Sequence, residues 1–188
     1  MNYYGNKDLA RSFRTVRRNT LTIAEEIAEN QYGFRPTPDT RSVAEIFSHL
    51  IVSARGAYDA HAVRKVKTYV GVDFAALAGQ RQQQEKQLTA KADILDALRR
   101  NGEEWGRYLD NIPDDEMAEI IPFPEGAEPP VKSRFEMLLS VKEHEMHHRA
   151  QLMIIERLLG IVPHLTRQRL SRMAQASSAR PGSASLRR

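Results

Sequence analysis

Apolar positions recur at helical spacing in four long stretches, and no set of segments alternates in the manner of strands. The first stretch runs from about Asp8 to Asn30, with Leu9, Phe13, Val16, Leu21, Ile23, Ala24 and Ile27 on one side. Gln31-Tyr32-Gly33-Phe34-Arg35-Pro36-Thr37-Pro38 closes it, because two prolines and a glycine cannot continue a helix. The second opens with Ser42-Val43-Ala44-Glu45, a capping box, and continues to about Tyr69. A polar connection, Gly79-Gln80-Arg81-Gln82-Gln83-Gln84, precedes a third helix over roughly Leu88 to Asn111. Prolines 113, 122, 124, 129 and 130 mark an irregular link that has room for a small hairpin around Ile120-Ile121-Pro122-Phe123 and Val131. A second capping box, Ser133-Arg134-Phe135-Glu136, starts the fourth helix, which runs to Leu159 and stops at Gly160. Four helices of this length predict an all-α fold, a four-helix bundle.

Composition narrows the chemistry. The chain has 188 residues, enough for one domain with a sizeable core, and no cysteine. Disulfides, thiolate-held zinc, iron–sulfur clusters and thiol nucleophiles are thereby excluded, so a metal site must use His, Asp or Glu. No apolar run is long enough to span a membrane. Met1 to Asp8 lacks the apolar core of a secretory signal, and a cytoplasmic location is expected. The net charge of +4 is misleading. Arg167, Arg169, Arg172, Arg180, Arg187 and Arg188 fall after position 164 with no acid among them. Positions 1–164 therefore hold 22 basic against 24 acidic residues, which gives no support for a nucleic-acid partner. This divides the chain into a globular unit, 1–164, and an arginine-rich tail, 165–188, whose Ser, Ala, Gly and Pro content predicts disorder.

Three of the six histidines fall in His144-Glu145-Met146-His147-His148. His144 and His148 are four apart, about 40° around a helix, within reach of one ion. Val141, Leu152, Ile155 and Leu159 share that side, so the pair faces the bundle interior. Interior imidazoles need partners, and backbone, water or carboxylates would serve as well as a metal. Read literally, the segment also fits H-E-x-x-H, which makes a zinc protease with Glu145 as general base the runner-up chemistry. His49 lies seven residues after the Ser42 cap, flanked on its own face by Glu45, Val52, Ser53 and Gly56. Small neighbours leave room for a ligand, although a histidine there is also ordinary.

Taken together, four stretches resemble the DinB-like (DinB/YfiT-like) metalloenzyme family. They are Gly33-Phe34-Arg35-Pro36-Thr37-Pro38, then Ser42-Val43-Ala44-Glu45-Ile46-Phe47-Ser48-His49-Leu50, then His144-Glu145-Met146-His147-His148-Arg149-Ala150-Gln151-Leu152, and lastly Arg157-Leu158-Leu159-Gly160-Ile161-Val162-Pro163. Ala150 stands where the family's H-x-x-H-H-R-G-Q-L has glycine, and the likeness covers roughly Leu9 to Pro163. The resemblance implies an up-down-down-up bundle, frequent homodimers, and a divalent metal, typically nickel, zinc or iron. Carried over by position, the ligands are His49, His144 and His148. His61, His147 and His164 match no ligand position and are expected at the surface or supporting the ligands.

Three neutral imidazoles leave positions open for water and substrate, as in catalytic sites. The resemblance implies a thiol S-transferase or hydrolase acting on a small electrophile, with a low-molecular-weight thiol as the second substrate. A non-catalytic metal-binding stress-response protein or adaptor is the alternative. Glu45, one turn before His49, is the candidate catalytic carboxylate, against its simpler role in the capping box. The fourth helix carries a second apolar stripe, Phe135, Leu139, Met146, Ala150 and Met153, which predicts a homodimer through that helix.

Overall fold

In the computed structural model, which describes residues 4–178, apolar stripes and caps produce the four long helices, and three shorter helices join them. Helix α1 (Asn6–Glu26) opens where the Asp8 carboxylate accepts the Gly5 N–H at 3.1 Å. It ends four residues before the expected Asn30, because other groups satisfy its last carbonyls. The Tyr32 hydroxyl donates to Ala24 O at 2.6 Å, and Lys91 Nζ donates to Glu25 O and Ile27 O. Helix α2 (Val43–Tyr58) starts on the reciprocal Ser42–Glu45 box and runs into one π-helical turn over Asp59–Val63. It stops short of the expected Tyr69 at Lys65, whose positive φ of 49° leaves helical space.

The segment expected as a polar connection is helix α3 (Phe74–Lys86), capped by the Asp73 side chain, which accepts from Ala76 N at 2.9 Å. None of its residues is buried, so it carries no apolar stripe to read. Helix α4 (Lys91–Asn111) buries Ile94, Leu98, Trp105 and Leu109. After a short helix α5 (Asp114–Ala118), strands β1 (Ile120–Pro122) and β2 (Val131–Ser133) pair antiparallel with Ile121 opposite Lys132, as the proline-bounded link predicts. Helix α6 (Arg134–Leu158) begins on the second capping box and is followed by Gly160 at φ 79°. Arg134 is fully buried at this junction. It donates to Glu119, to Val66 O and to His61 Nδ1, pinning the hairpin to the end of α2.

Helix α1 packs between α4 and α6, and α2 packs between the same two from the other side. Asn6 bonds Ile112 O and Glu25 meets Arg99, so α1 and α4 run antiparallel. Tyr4 meets Phe135 and Arg17 meets Glu145, so α1 and α6 run parallel. Trp105 Nε1 donates to Ala54 O while Val43 and Ile51 pack with Ile94 and Leu98, making α2 parallel to α4. The helix pattern predicts a four-helix bundle, and the order of directions is up-down-down-up, as the resemblance implies. Apolar residues form one cluster around Phe47, Ile51, Leu98 and Leu152, and another around Phe13, Trp105 and Leu138. Between them lies a polar layer. Arg17 makes a two-pronged pair with Glu145 at 2.8–3.1 Å and also reaches Leu98 O and Asn101. Gly102 makes room for it, since a Cβ there would sit 2.8 Å from Arg17 Cγ.

Two expectations are corrected along α6 and after it. The second stripe divides: Phe135, Leu139 and Met153 pack within the chain, whereas Met146 and Ala150 stay exposed. The tail expected to be disordered from 165 is helical as far as Ser178, in helix α7 (His164–Ser178). Leu, Gln, Arg, Met and Ala predominate there, all good helix formers, and Arg167 pairs with Glu26 on α1. The remaining positions of that expectation, 179–188, lie outside the described residues. No helix among the described residues is long and apolar enough to cross a membrane.

Candidate metal centre

Two helix starts set the site's geometry. Ser42 fixes the register of α2 and brings His49 to its second turn, and Ser133 does the same for α6, which carries His144 and His148 three turns in. Because α2 and α6 run antiparallel, His49 meets this pair. His49 Nε2 and His148 Nε2 each lie 3.1 Å from His144 Nε2, and the three nitrogens fall within 4.8 Å of one another. The structure thus brings together all three histidines carried over by position.

Their other ring nitrogens explain the arrangement. His49 Nδ1 donates to Glu85 Oε1 at 2.8 Å, and His148 Nδ1 donates to Gln151 Oε1 at 2.7 Å. A neutral imidazole protonated on Nδ1 has a bare lone pair on Nε2. His144 could offer an Nε2 proton to one neighbour only, so one of the two 3.1 Å contacts sets lone pair against lone pair. Such a cluster suits a cation. Nitrogens held about 2.0–2.1 Å from a single ion are separated by about 2.9–3.4 Å as the ligand angle opens from octahedral to tetrahedral. Burial pushes His144 down to about 4, reinforced by His148 and His49, and burial also lowers His148 despite its bond to Gln151. Both rings are therefore neutral at pH 7, the form that ligates.

Two cavities reach the cluster, one of about 890 Å³ past His49 and Glu85, the other of about 350 Å³ past His49 and His144. Among the described residues no fourth His, Asp or Glu joins the three. An ion here would keep coordination positions open.

The carboxylates fall differently from expectation. Glu45 sits on the wall of the larger cavity, but its oxygens accept from Ser42 N and pair with Arg35, so it serves the capping box and touches no histidine. Burial would raise its pKa, yet the bonds from Arg35 and Ser42 hold it below the usual value. The carboxylate that meets His49 is Glu85 on α3, in the segment expected as a connection. An Asp73 cap followed by a Gln-rich run free of proline is the signal that could have found it. Glu145, the general base of the protease reading, is locked onto Arg17 and only 2% exposed. Of the other histidines His147 is exposed and reaches Gln151. His61 and His164 are buried away from the cluster, against Arg134 and Asn19.

Comparison with known proteins agrees with this architecture. The fold is similar to that of YfiT from Bacillus subtilis, described as a probable metal-dependent hydrolase with an unusual four-helix bundle topology. The TM-score is 0.65 at 12% identity, over 83% of this chain and 88% of that one. It is also similar to a conserved protein from Enterococcus faecalis, with a TM-score of 0.60 at 15% identity, over 80% of this chain and 94% of that one. At these identities the likeness is one of fold. No curated protein matches the sequence. The sequence profile of the DinB superfamily matches residues 12–152, a span that contains His49, His144 and His148 together with the helices that position them. The chain belongs to the DinB superfamily.

Proposed function

We propose that the protein is a cytoplasmic, divalent-metal-dependent enzyme, a hydrolase or thiol S-transferase acting on a small electrophilic molecule, with His49, His144 and His148 as metal ligands. The observation that carries this reading is the convergence of three Nε2 atoms, two of which have their Nδ1 protons engaged elsewhere. A divalent ion in such a site supplies a coordinated water or thiol that is deprotonated near neutral pH. Nickel, zinc and iron all suit imidazole ligands, and which of them occupies such a site follows availability more than raw affinity.

Each residue around the cluster has a part in this reading. Glu85 and Gln151 hold His49 and His148 in the Nδ1–H tautomer, which keeps the ligating nitrogens free and the rings oriented. Gln151 is itself oriented by His147, whose Nε2 lies 3.3 Å from its amide nitrogen. The bundle leaves cavities beside the cluster, which favours a working site over a closed structural one. Glu45 is assigned to the α2 cap rather than to catalysis.

Elemental analysis of the full chain tests the ligand set. Replacing His148 with Ala should abolish stoichiometric metal binding, while His147→Ala should keep most of it. If both variants retain a full equivalent, the assignment is wrong. Turnover separates the enzyme from a non-catalytic stress-response protein or adaptor. Low-molecular-weight thiols, each paired with halogenated or epoxide electrophiles, should react with metal-loaded protein and not with the metal-free chain. We also propose a homodimer through α6, on which Met146, Ile154 and Leu158 leave an exposed apolar row.

A further inference from the structure

We propose that the molecule admitted to the histidine cluster is anionic, and that Arg41 and Arg81 bind its carboxylate or phosphate group from either side of His49. The inference rests on the metal-dependent reading above and names its substrate class.

Arg81 belongs to the cluster's surroundings by position. Both cavities share only His49, Ser53 and Arg81, so this side chain stands where they meet. Its guanidinium lies against Gly56, where a Cβ would fall 3.2 Å from Nη2 and 3.3 Å from Nε. His49, Ser53 and Gly56 occupy one row of α2, at i, i+4 and i+7. The room that small residues leave beside His49 is thus taken by an arginine head group from α3. Arg41 precedes the Ser42 cap at the opposite end of that face and lines the larger cavity.

Neither arginine has a carboxylate partner or a hydrogen-bond acceptor among the described residues, unlike Arg17, Arg35 and Arg134. The acids on the same wall are already engaged, Glu45 by Arg35 and Ser42, Glu85 by His49. The rim of the site is therefore uncompensated positive charge on a unit that is net negative over positions 1–164. Guanidinium forks match carboxylate and phosphate two-pronged, and a charged cleft concentrates ligands of opposite sign. A neutral substrate would leave both forks unanswered.

Titration calorimetry of the full-length protein, metal-free and metal-loaded, tests this with two probes, inorganic phosphate and succinate. Wild type should bind at least one of them. Arg41→Gln and Arg81→Gln should each weaken that binding by about tenfold, the scale of one lost charge-assisted bond. Gly56→Ala, which keeps Arg81 but displaces its head group, should weaken it too. Arg107→Gln, on the far exposed face of α4, should not. Preference for phosphate or for succinate assigns the class of anion. Undiminished binding in both arginine variants, or no binding of either probe at about 20 mM, overturns the proposal. Metal content, measured on the same samples, reports on the ligand set separately, and the metal-free arm reads the anion site even if no metal is taken up.

Discussion

At residue scale, the buried polar groups that lack partners are as informative as those that have them. Glu156 is fully buried on α6, and neither carboxylate oxygen has a hydrogen-bond partner among the described residues. Burial, with the charge of Glu26 nearby, pushes its pKa up to about 7. A folded-state value above the unfolded one of about 4.5 means that the native protein holds the proton more tightly. No cost arises below pH 4.5. Stability then falls as pH rises towards 7 and levels off above it. Glu156→Met removes the buried charge at similar volume, so it should stabilise the protein by on the order of 2–3 kcal/mol at pH 8 and by little at pH 4.5. Urea unfolding of both proteins across this range checks it. Parallel pH profiles would show that Glu156 titrates normally.

At the scale of elements, the polar layer between α1, α4 and α6 joins two apolar clusters that would otherwise be continuous. The side chains of Arg17 and Glu145 are 4% and 3% exposed, and removing one charge strands the other. Glu145→Ala should cost about 3–5 kcal/mol, whereas Arg17→Met combined with Glu145→Met should recover most of it. Denaturant melts of the three proteins decide this, and a single variant as stable as wild type would refute the pair's structural role. The same layer shows what pattern reading resolves. Long helices were legible because Leu9, Phe13, Ile23 and their counterparts fall on one side of each helix. The His pair was legible because a shared helix fixes its spacing, and the Ser42 cap made the place of His49 measurable. Arg17 was not legible, since an arginine inside a charged run, Arg17-Arg18, reads as solvent-facing until Gly102 and Glu145 are seen across from it. Helix α3 and Glu85 escaped for the opposite reason, because a helix that buries nothing has no periodicity.

For the whole molecule, the proposed association rests on the exposed apolar surface of α6. Met146, Ala150, Ile154 and Leu158 follow one another at four-residue intervals, with Met146 39%, Ile154 61% and Leu158 58% exposed. A two-fold axis across this row would set the patch against itself, and the small Ala150 would let the backbones approach. Met146→Glu should then convert a dimer to a monomer in sedimentation equilibrium while leaving metal content unchanged. Wild-type protein that is already monomeric at micromolar concentration, with Met146→Glu behaving identically, would end the idea.

Helix α3 has a second consequence. It lies on α2 without burying a residue, its start tied by the Phe74 ring stacked on Tyr69 and its end by Glu85 bonded to His49. A ring fixed by an ion holds Glu85 firmly, and a ring free to turn does not. Trypsin, which cuts after Arg81 and Lys86, should therefore cleave α3 several times faster in metal-free than in metal-loaded protein. Equal cleavage rates would show that the helix is indifferent to the ion. Where the rates differ, empty copies are degraded first, and the lifetime of the protein follows metal supply without a dedicated sensor.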